Sequence, residues 1–375
     1  MNKPRIAFIL PALRGGGVEK VVITLNRGFL ENGFDVDIIL AKAEGEFLSG
    51  IPNGVNVFDL DTSRRLRLLR SFLPLVKYFR NRKLDAIFPI FDGFELIVIV
   101  AVRISYIAKS RPFVIYSIHN VSKYLDDFPG YKHWLVKIST WLSLHWADGV
   151  VAVSNSVAKD FSRKFYFPLE KIKVIYNPIL TSEIVEMSKE PLNHPWFNSK
   201  IPVILGIGRL NKQKDFPNLI KAFAIVHKEM EAKLVILGEG EERSYLENLI
   251  SELHLNSEVE LLGFKDNPYP YLKSASLFVL SSEFEGFPLV LVEALALGTP
   301  VISTDCPGGS SEILEGGKYG VLVPVGDPVA LSKAIIKMLT NPMPLDMLQN
   351  RAMHFFLESA TGSYLKLINT LRNRR

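Results

Sequence analysis

The sequence is poor in the features that mark secreted or membrane-spanning proteins. Cys306 is the only cysteine among 375 residues, so an internal disulfide is excluded and a reducing compartment is favoured. The apolar run that follows Arg5 is too short for a secretory signal. The most apolar stretch, residues 96–102, ends at Arg103, far short of a membrane span. These absences predict a cytoplasmic protein that is soluble or peripheral.

Several cofactor motifs are also missing. No Walker sequence occurs, which disfavours ATP hydrolysis, and the glycines at 15–17 do not form the G-x-G-x-x-G pattern of nicotinamide-binding proteins. Cysteine and histidine do not recur at metal-ligand spacing, so we expect no metal and no resident cofactor. No recognised nucleic-acid motif accompanies the basic residues, and no nucleic-acid partner is expected.

Strand and helix patterns alternate along the chain, with one interruption in the middle. A chain of 375 residues with 48% hydrophobic residues supports two domains with large cores. Weak periodicity at residues 181–200 predicts a linker between an N-terminal domain, 1–180, and a C-terminal domain, 201–356. The alternation predicts an α/β fold with two Rossmann-like, doubly wound parallel-sheet domains and a central cleft between them.

Positive charge is concentrated in the first half of the chain. Residues 1–180 hold 25 Lys and Arg against 16 Asp and Glu, net +9, whereas residues 181–375 hold 19 against 23, net −4. The segment from Arg64 to Lys83 has eight basic residues and no acidic one. Its apolar residues recur at helical spacing, although Pro74 is expected to kink or break a helix. The segment predicts either an amphipathic helix on an anionic membrane surface or a helix whose apolar stripe packs on its own domain.

Tryptophans recur in one predicted helical segment of the first domain. Trp134 and Trp141 are seven residues apart, which puts them on one helix face. The first interpretation is core packing. The alternative is an interfacial aromatic belt or a contact to a substrate.

Two glutamates lie in the stretch S-S-E-F-E-G-F-P-L-V-L-V-E-A-L-A-L-G-T, residues 281–299. Pro288 suits the first position of a helix that is apolar on every side and is closed by Gly298. Glu293 lies inside this helix, and a buried carboxylate must be hydrogen-bonded by the fold or by a ligand. Glu285 precedes the helix, where it either caps the N-terminus or serves a site.

Ligand-binding signals also follow other predicted strands. The glycine turn at 15–17, after the first strand, either brings backbone N–H groups against a phosphate or sugar or is a plain turn. His119 follows the predicted strand 113–118, at the edge where parallel sheets bind ligands, although a lone histidine is also common as a structural residue. Arg209 and Lys214 follow a strand that ends at Gly206, and two cations beside a helix N-terminus suit a diphosphate bound without a metal.

The ordered set of motifs resembles the retaining GT-B glycosyltransferases of glycosyltransferase family 4. The matching features are the turn at 15–17, His119, V-I-Y-N-P-I at 174–179, G-R-L-N-K-Q-K at 208–214, E-G-F-P-L-V-L-V-E at 285–293 and D-C-P-G-G at 305–309. Each is weak alone, but together they span nearly the whole chain in family order. The resemblance also implies that the last helix, residues 357–375, packs back on the N-terminal domain.

The resemblance implies a role for each candidate residue. Arg209 and Lys214 would neutralise the diphosphate of a nucleotide-activated sugar, in most of the family a UDP-sugar. Glu285 and His119 would contact the sugar, and Glu293 would accept hydrogen bonds from the ribose. The remaining donor-binding residues would be Gly16, Gly17, Glu239, Phe264, Gly286, Phe287, Pro288 and Leu289.

The implied reaction is metal-independent transfer of a sugar, with retention, to a glycan or lipid-linked glycan in cell-envelope polysaccharide, lipopolysaccharide or glycolipid synthesis. A peripheral position on the inner face of the cell membrane would rest on this resemblance and on the basic segment. Two carboxylates would suit a double displacement, whereas the family implies a front-face route, and both remain open. Asp215 after Lys214 and Asn120 after His119 depart from the residues frequent in the family, glycine and aspartate, which puts donor details in doubt. The alternatives are a non-catalytic nucleotide-sugar-binding scaffold subunit, a GT-B sugar-nucleotide epimerase, and a phosphorylase, which would need a cofactor-binding lysine and usually a longer chain.

Overall fold

A computed structural model describes residues 3–14, 16–62, 70–90, 95–106, 111–123, 130–179 and 181–374. The chain forms two compact units. The first unit comprises Met1–Pro178 together with Leu357–Arg375, and the second comprises Ile179–Phe356.

The first unit contains a seven-stranded parallel sheet in the order β3-β2-β1-β4-β5-β6-β7. Its strands are β1 Arg5–Leu10, β2 Asp35–Leu40, β3 Val55–Asp59, β4 Ala86–Pro89, β5 Phe113–Ile118, β6 Gly149–Ala152 and β7 Ile172–Val174. Its described helices are α1 Gly17–Glu31, α2 Phe72–Arg80, α3 Glu95–Ser105, α4 Tyr131–Trp146, α5 Asn155–Phe165 and, at the C-terminus, α14 Leu357–Asn373. Most of the strand residues are buried, as expected for a parallel sheet covered by helices.

The second unit contains a six-stranded parallel sheet in the order β10-β9-β8-β11-β12-β13. Its strands are β8 Val203–Ile207, β9 Lys233–Leu237, β10 Val259–Gly263, β11 Leu277–Leu280, β12 Val301–Thr304 and β13 Val321–Val323. Counted from β8, the order is 3-2-1-4-5-6, the Rossmann arrangement. Its helices are α6 Thr181–Met187, α7 Phe216–Glu229, α8 Arg243–Glu252, α9 Tyr269–Ser274, α10 Leu289–Leu297, α11 Ser310–Ile313, α12 Pro328–Thr340 and α13 Leu345–Ala352. The predicted fold class, two parallel α/β sheets of Rossmann type, is confirmed.

Helix boundaries follow the capping residues in the sequence. Ser154 accepts a hydrogen bond from Val157 N–H at the start of α5, and Asp215 accepts one from Asn218 N–H at the start of α7. Gly298 ends α10 in the left-handed conformation, with φ +78°. Pro288 lies at the N-cap of α10 rather than at its first position.

The segment 181–200, expected to link two domains, is part of the second unit. Asn267 Nδ2 donates to Met187 O at 2.9 Å, and His194 Nε2 lies 3.1 Å from Glu260 Oε2. Phe197 packs edge-on against Tyr271. These contacts hold the segment on its own unit, where it forms the short helix α6, Thr181–Met187, followed by mostly irregular packed chain.

The prediction of core packing for Trp134 and Trp141 is wrong. These residues are 68% and 45% exposed, because α4 turns Thr140, Ser143 and Leu144 inward instead.

The basic segment from Arg64 to Lys83 is described only from residue 70 onward. Leu75, Val76 and Phe79 of α2 are buried in the first unit, while Leu73 is exposed. This part favours packing on its own domain. Pro74 does not break the helix, because it lies in the first turn, where its missing N–H costs no intrahelical bond.

The C-terminal helix α14 belongs to the first unit. Tyr364 packs edge-on against Phe88 and lies 6.2 Å, between ring centroids, from Phe29. Arg372 donates to Asp85 at 2.5 Å. Among the described residues, no helix is both long and apolar enough to cross a bilayer.

Candidate active site

The strand order of the second sheet reverses between β8 and β11. Loops that leave the carboxyl ends of the two strands at such a point run in opposite directions and leave a crevice for a ligand. The loop after β8 carries Arg209 and Lys214, and the loop after β11 carries Glu285. The topology therefore brings together residues that are 71 positions apart in the sequence.

An ion pair joins the two loops. Lys214 Nζ donates to Glu285 Oε1 at 2.6 Å, and Ser282 Oγ donates to the same oxygen at 2.6 Å. Glu285 is only 7% exposed, so its charge depends on these hydrogen bonds. The alternative that Glu285 caps the N-terminus of α10 is wrong, because Pro288 is the N-cap and no side chain caps that helix.

The described part of the fold does not engage the second oxygen of the same carboxylate. No described residue donates a hydrogen bond to Glu285 Oε2. A carboxylate oxygen held in place through its twin has one acceptor direction open to a ligand hydroxyl. This group can thus orient a polyhydroxylated molecule without first breaking an internal contact.

Backbone contacts fix the position of Glu285. Gln213 Nε2 donates to Phe284 O at 2.9 Å, and Glu285 N–H donates to Pro307 O at 2.9 Å. Gly308 has φ +131°, and a Cβ there would lie 1.7 Å from Glu285 O. Only glycine fits, which gives a physical reason for the glycine pair in D-C-P-G-G.

The glycine turn after β8 makes room for the lysine. The aliphatic stem of Lys214 lies against Gly208, where a Cβ would be 3.0 Å from Lys214 Cε. Ser281 Oγ donates to Lys214 O at 2.7 Å and fixes its backbone. Arg209 is exposed and forms no ion pair with any described residue. One cation is thus paired, and the other is available to an anion.

Glu293 lies on the buried side of this region. It is 4% exposed in the apolar helix α10, and Tyr269 Oη lies 3.4 Å from its Oε1. The carboxylate therefore has an internal hydrogen-bonding environment, as the burial argument required. The N-terminus of α10 and the turn before it contain the predicted residues Gly286, Phe287, Pro288 and Leu289. The ring of Phe287 packs on Phe355.

The predicted nucleoside contacts lie at the ends of β9 and β10. Arg243 binds Glu239 Oε1 at 2.7 Å and also donates to Leu261 O at 3.1 Å. Gly263, with φ +73°, lies against Glu239, and the next residue, Phe264, is 46% exposed. A partly exposed ring beside a fixed carboxylate can contact a base.

The first unit presents a different set of groups. His119 follows β5, and both of its ring nitrogens are buried without a hydrogen-bond partner among the described residues. Burial lowers the pKa of His119 to about 4, so the imidazole is neutral near pH 7. A neutral imidazole can accept one hydrogen bond and donate another. Its unmet capacity makes it a candidate ligand contact.

The glycine turn of the first unit faces a carboxylate. Gly16 is the N-cap of α1 and Gly17 its first residue, while Gly15 lies outside the described residues. A Cβ at Gly16 would lie 2.4 Å from Glu19 Oε2. The N-terminus of α1 thus has an acidic side chain of its own nearby.

Two further groups limit the chemistry. Burial, and next the charge of Glu285, raise the pKa of Cys306 to about 11, so this thiol is protonated and is not a nucleophile at neutral pH. Within the described ranges, no group of three or more His, Cys, Asp or Glu side chains could hold a metal ion.

Sequence reasoning missed the residues that support the candidate site. Ser282, Gln213, Tyr269 and Arg243 each contact a predicted site residue or its loop. Two of these contacts are local and could have been found from spacing: Ser282 stands three residues before Glu285, and Arg243 stands four residues after Glu239. The contacts of Gln213 and Tyr269 join segments 71 and 24 residues apart.

The arrangement defines a class of protein: two parallel Rossmann-like units of the GT-B type, with a cation–carboxylate cluster at the strand reversal of the second unit. The sequence profile described as Glycosyltransferase Family 4 matches residues 15–183, and that of Glycosyl transferases group 1 matches residues 192–354. An uncharacterized glycosyltransferase of Methanocaldococcus jannaschii is 30% identical over 340 residues, 84% of this chain and 83% of the relative. The chain belongs to glycosyltransferase family 4 and is a glycosyltransferase.

The chain is also similar to one relative of named activity and to one solved structure. A Campylobacter jejuni N-acetylgalactosamine-N,N'-diacetylbacillosaminyl-diphospho-undecaprenol 4-alpha-N-acetylgalactosaminyltransferase is 29% identical over 364 residues, 93% of each protein. The crystal structure of Anabaena HepE in complex with UDP has a TM-score of 0.78 at 21% identity, covering 98% of this chain and 100% of that one. The second similarity establishes the fold.

Proposed function

We propose that this enzyme transfers a sugar from a nucleotide diphosphate sugar, most readily a UDP-sugar, to a glycan or lipid-linked glycan, with retention and without a metal. The family, the undecaprenol-linked substrate named for the Campylobacter relative and the UDP named for HepE support this assignment. Related proteins named for envelope glycan synthesis, such as a lipopolysaccharide core glycosyltransferase of Rhizobium meliloti, support a role in cell-envelope polysaccharide or glycolipid synthesis.

The observation that carries the proposal is the Lys214–Glu285–Ser282 cluster. Its carboxylate is held at Oε1 and open at Oε2, and its lysine lies 2.6 Å from that carboxylate. A bound diphosphate sugar would satisfy both groups, with phosphate oxygens near the ammonium and a sugar hydroxyl donating to Oε2. Such a site distinguishes a sugar nucleotide from a nucleotide without a sugar.

The proposed reaction depends on stabilisation of the leaving group. As the bond between the anomeric carbon and the phosphate oxygen breaks, negative charge grows on the diphosphate. Lys214 and the exposed Arg209 are the cations assigned to that charge, which is why no metal is required. The N-terminus of α10, which has no side-chain cap, would add backbone N–H groups from the segment 286–289.

Glu285 is assigned to the sugar rather than to covalent attack. Two hydrogen bonds to Oε1 withdraw electron density from the carboxylate and fix its orientation. A group of this kind suits hydrogen bonding to a hydroxyl near the anomeric carbon. Retention would then follow a front-face route in which the leaving phosphate accepts the proton of the acceptor.

The remaining residues keep the roles that the family resemblance implies. Glu293 would accept hydrogen bonds from the ribose hydroxyls, which would replace the long hydrogen bond from Tyr269 Oη. Glu239 and Phe264 would contact the nucleoside. In the first unit, His119 would bond a sugar hydroxyl through its unpartnered ring, and Gly16 and Gly17 would approach the donor.

The cellular location follows from the proposed acceptor. A lipid-linked glycan lies at a membrane, so we assign the enzyme to the cytoplasmic side, held peripherally. The basic segment from Arg64 to Lys83 remains a proposed contact to anionic lipid in its residues before 70, which lie outside the described part.

The test is a thermal-shift screen of UDP, other nucleoside diphosphates and UDP-sugars in the presence of a chelator. Lys214→Ala is compared with Lys212→Ala, an exposed lysine two residues earlier. Ligand binding raises the melting temperature by mass action, so wild type and Lys212→Ala should shift with UDP and Lys214→Ala should not. An equal shift in Lys214→Ala would contradict the phosphate site.

Product analysis separates the alternatives. Transfer of radiolabelled sugar to membrane extract with an α-configured product from an α-configured donor supports the retaining transferase. Interconversion of the sugar nucleotide without acceptor would indicate an epimerase. Binding without turnover on any donor would indicate a scaffold subunit.

A further inference from the structure

One helix of the first unit turns its large apolar side chains outward. Trp134, Ile138 and Trp141 of α4 lie on one face, at spacings of four and three residues, and are 68%, 54% and 45% exposed. The buried face carries Leu144 together with Thr140 and Ser143, whose hydroxyls are inaccessible. In a helix that packs only on a soluble core, the largest apolar side chains lie on the buried face, whereas Trp134 and Trp141 of α4 lie on the outer face. The outer face needs a partly apolar environment that the described fold does not supply.

The end of α5 extends this face. Trp134 and Trp141 form a groove of about 240 Å³ with Lys137, Lys164 and Tyr166. Tyr166 caps α5 in the left-handed region, with φ +52°, and is 91% exposed. A glycine would fit this conformation without strain, and an aromatic ring in water contributes nothing to folding. Its presence there is consistent with use of the ring at a surface.

The charge around the face has one sign. α4 has two lysines and no acidic residue, and residues 130–173 hold seven Lys and Arg against three Asp and Glu, net +4. Lys137 and Lys164 line the groove beside the tryptophans. Indole and phenol rings prefer the headgroup region of a bilayer, and lysines beside them attract anionic lipid.

We propose that the aromatic face, defined by Trp134, Ile138, Trp141 and Tyr166, docks the enzyme on the headgroup layer of an anionic bilayer. A second copy of the chain is a poorer occupant, because two faces of net positive charge repel each other. The purpose of this surface rests on the proposed function, since a lipid-linked acceptor is presented at that layer. The surface is separate from α2, whose described apolar residues other than Leu73 pack mainly inward.

The test is sedimentation of the full-length protein with vesicles of phosphatidylglycerol and phosphatidylethanolamine, compared with phosphatidylcholine vesicles. We expect binding to the anionic vesicles and a blue shift of tryptophan emission. The double variant Trp134→Ser, Trp141→Ser should bind at least ~10-fold more weakly, and Lys137→Gln about fivefold more weakly, since a lysine near the surface contributes about 1 kcal/mol.

The matched control is Tyr245→Ser on α8 of the second unit, where Tyr245 is 51% exposed. It should bind vesicles like wild type. Because Trp134, Trp141 and Tyr245 are exposed and Lys137 is half-buried, each variant should keep the melting temperature of wild type.

Three outcomes would overturn the proposal: no binding of wild type to anionic vesicles, unchanged binding by the double tryptophan variant, or a dimer in solution that the same substitutions dissociate. Failure here is distinguishable from failure of the proposed function. The UDP-dependent thermal shift is measured without lipid and responds to Lys214, whereas vesicle binding is measured without nucleotide and responds to Trp134 and Trp141.

Discussion

The two units begin with the same strand–turn–helix arrangement, but the charged side chain beside the turn is acidic in the first unit and basic in the second. In each, the first strand of the sheet is followed by a glycine-containing turn and a helix, α1 or α7. In the first unit the turn at Gly16 has the carboxylate of Glu19 against it. In the second unit the turn at Gly208 has Lys214 against it, with Arg209 next to it in the chain. Each topology places a glycine turn beside a helix N-terminus, and the side-chain charge at the second turn is the one that suits the proposed diphosphate.

The comparison extends to the residues beyond the turn. The second unit places a charged cluster, Lys214 with Glu285 and Ser282, at its strand reversal. The first unit places a neutral, unpartnered imidazole, His119, at the end of β5. A charged cluster suits charge that develops during a reaction, whereas a neutral ring suits a hydroxyl.

The largest expected effect comes from displacing Glu285 through its backbone. Gly308→Ala puts a Cβ 1.7 Å from Glu285 O at a φ of +131°, so the second unit must rearrange. We expect a loss of about 3 kcal/mol or more in the free energy of unfolding, measured by urea denaturation. Gly316→Ala is the control, because its φ is +66° but no atom lies within 4 Å of the added carbon. In Gly316→Ala, backbone strain alone should lower the free energy of unfolding by about 1 kcal/mol. Equal losses in the two variants would contradict the packing argument.

The charged cluster is tested next. Glu285→Gln keeps the shape of the side chain and removes its charge, so kcat for sugar transfer should fall by about 10²- to 10³-fold. The Kd for UDP should change little, because the carboxylate is assigned to the sugar. Glu283→Gln, two residues earlier, serves as the control. A variant Glu285→Gln with the kcat of wild type would remove Glu285 from the site.

The neutral imidazole of the first unit predicts a pH dependence of stability. Its folded pKa, about 4, lies below the unfolded value of about 6.5, so the unfolded chain binds the proton first. The stability of the folded state should be complete above about pH 6.5 and should fall by about 3 kcal/mol as the pH drops towards 4. His119→Gln should flatten this part of the profile, measured as melting temperature against pH. An identical slope in the variant would mean that His119 is already partnered.

The smallest effects test the contrast between the two turns directly. Arg209→Ala should weaken UDP binding about 10- to 100-fold, since a charge-assisted hydrogen bond contributes about 1.5–3 kcal/mol. Glu19→Gln in the first unit should change the same Kd by no more than about threefold, in the direction of tighter binding. Isothermal titration calorimetry at one salt concentration measures both. A larger effect of Glu19 than of Arg209 would reverse the assignment of the diphosphate to the second unit.

Much of the fold could be read from local pattern. Buried parallel strands are continuous apolar runs bounded by turns, so β5 has the predicted bounds, 113–118. The end of α10 at Gly298 was also predicted, because glycine adopts the left-handed conformation that closes a helix. The segment 181–200 and the orientation of α4 were not, because each depends on which face of an irregular or weakly amphipathic stretch finds a partner.

In the candidate site, too, some features were predictable from local sequence and others depend on tertiary contacts. The sequence alone determined which residue types could act: Arg209 and Lys214 as cations, Glu285 and Glu293 as carboxylates, His119 after a strand. Tertiary structure decided that Lys214 and Glu285 are 2.6 Å apart and that Ser282 shares the same oxygen. It also decided that Gly308 packs against the backbone of Glu285. In addition, it left Arg209 without an ion pair among the described residues and placed Trp134 on the surface. Residue identity sets charge and hydrogen-bonding capacity, which are local properties. Pairing and exposure depend on strand order in a parallel sheet, which brings together loops from distant parts of the chain.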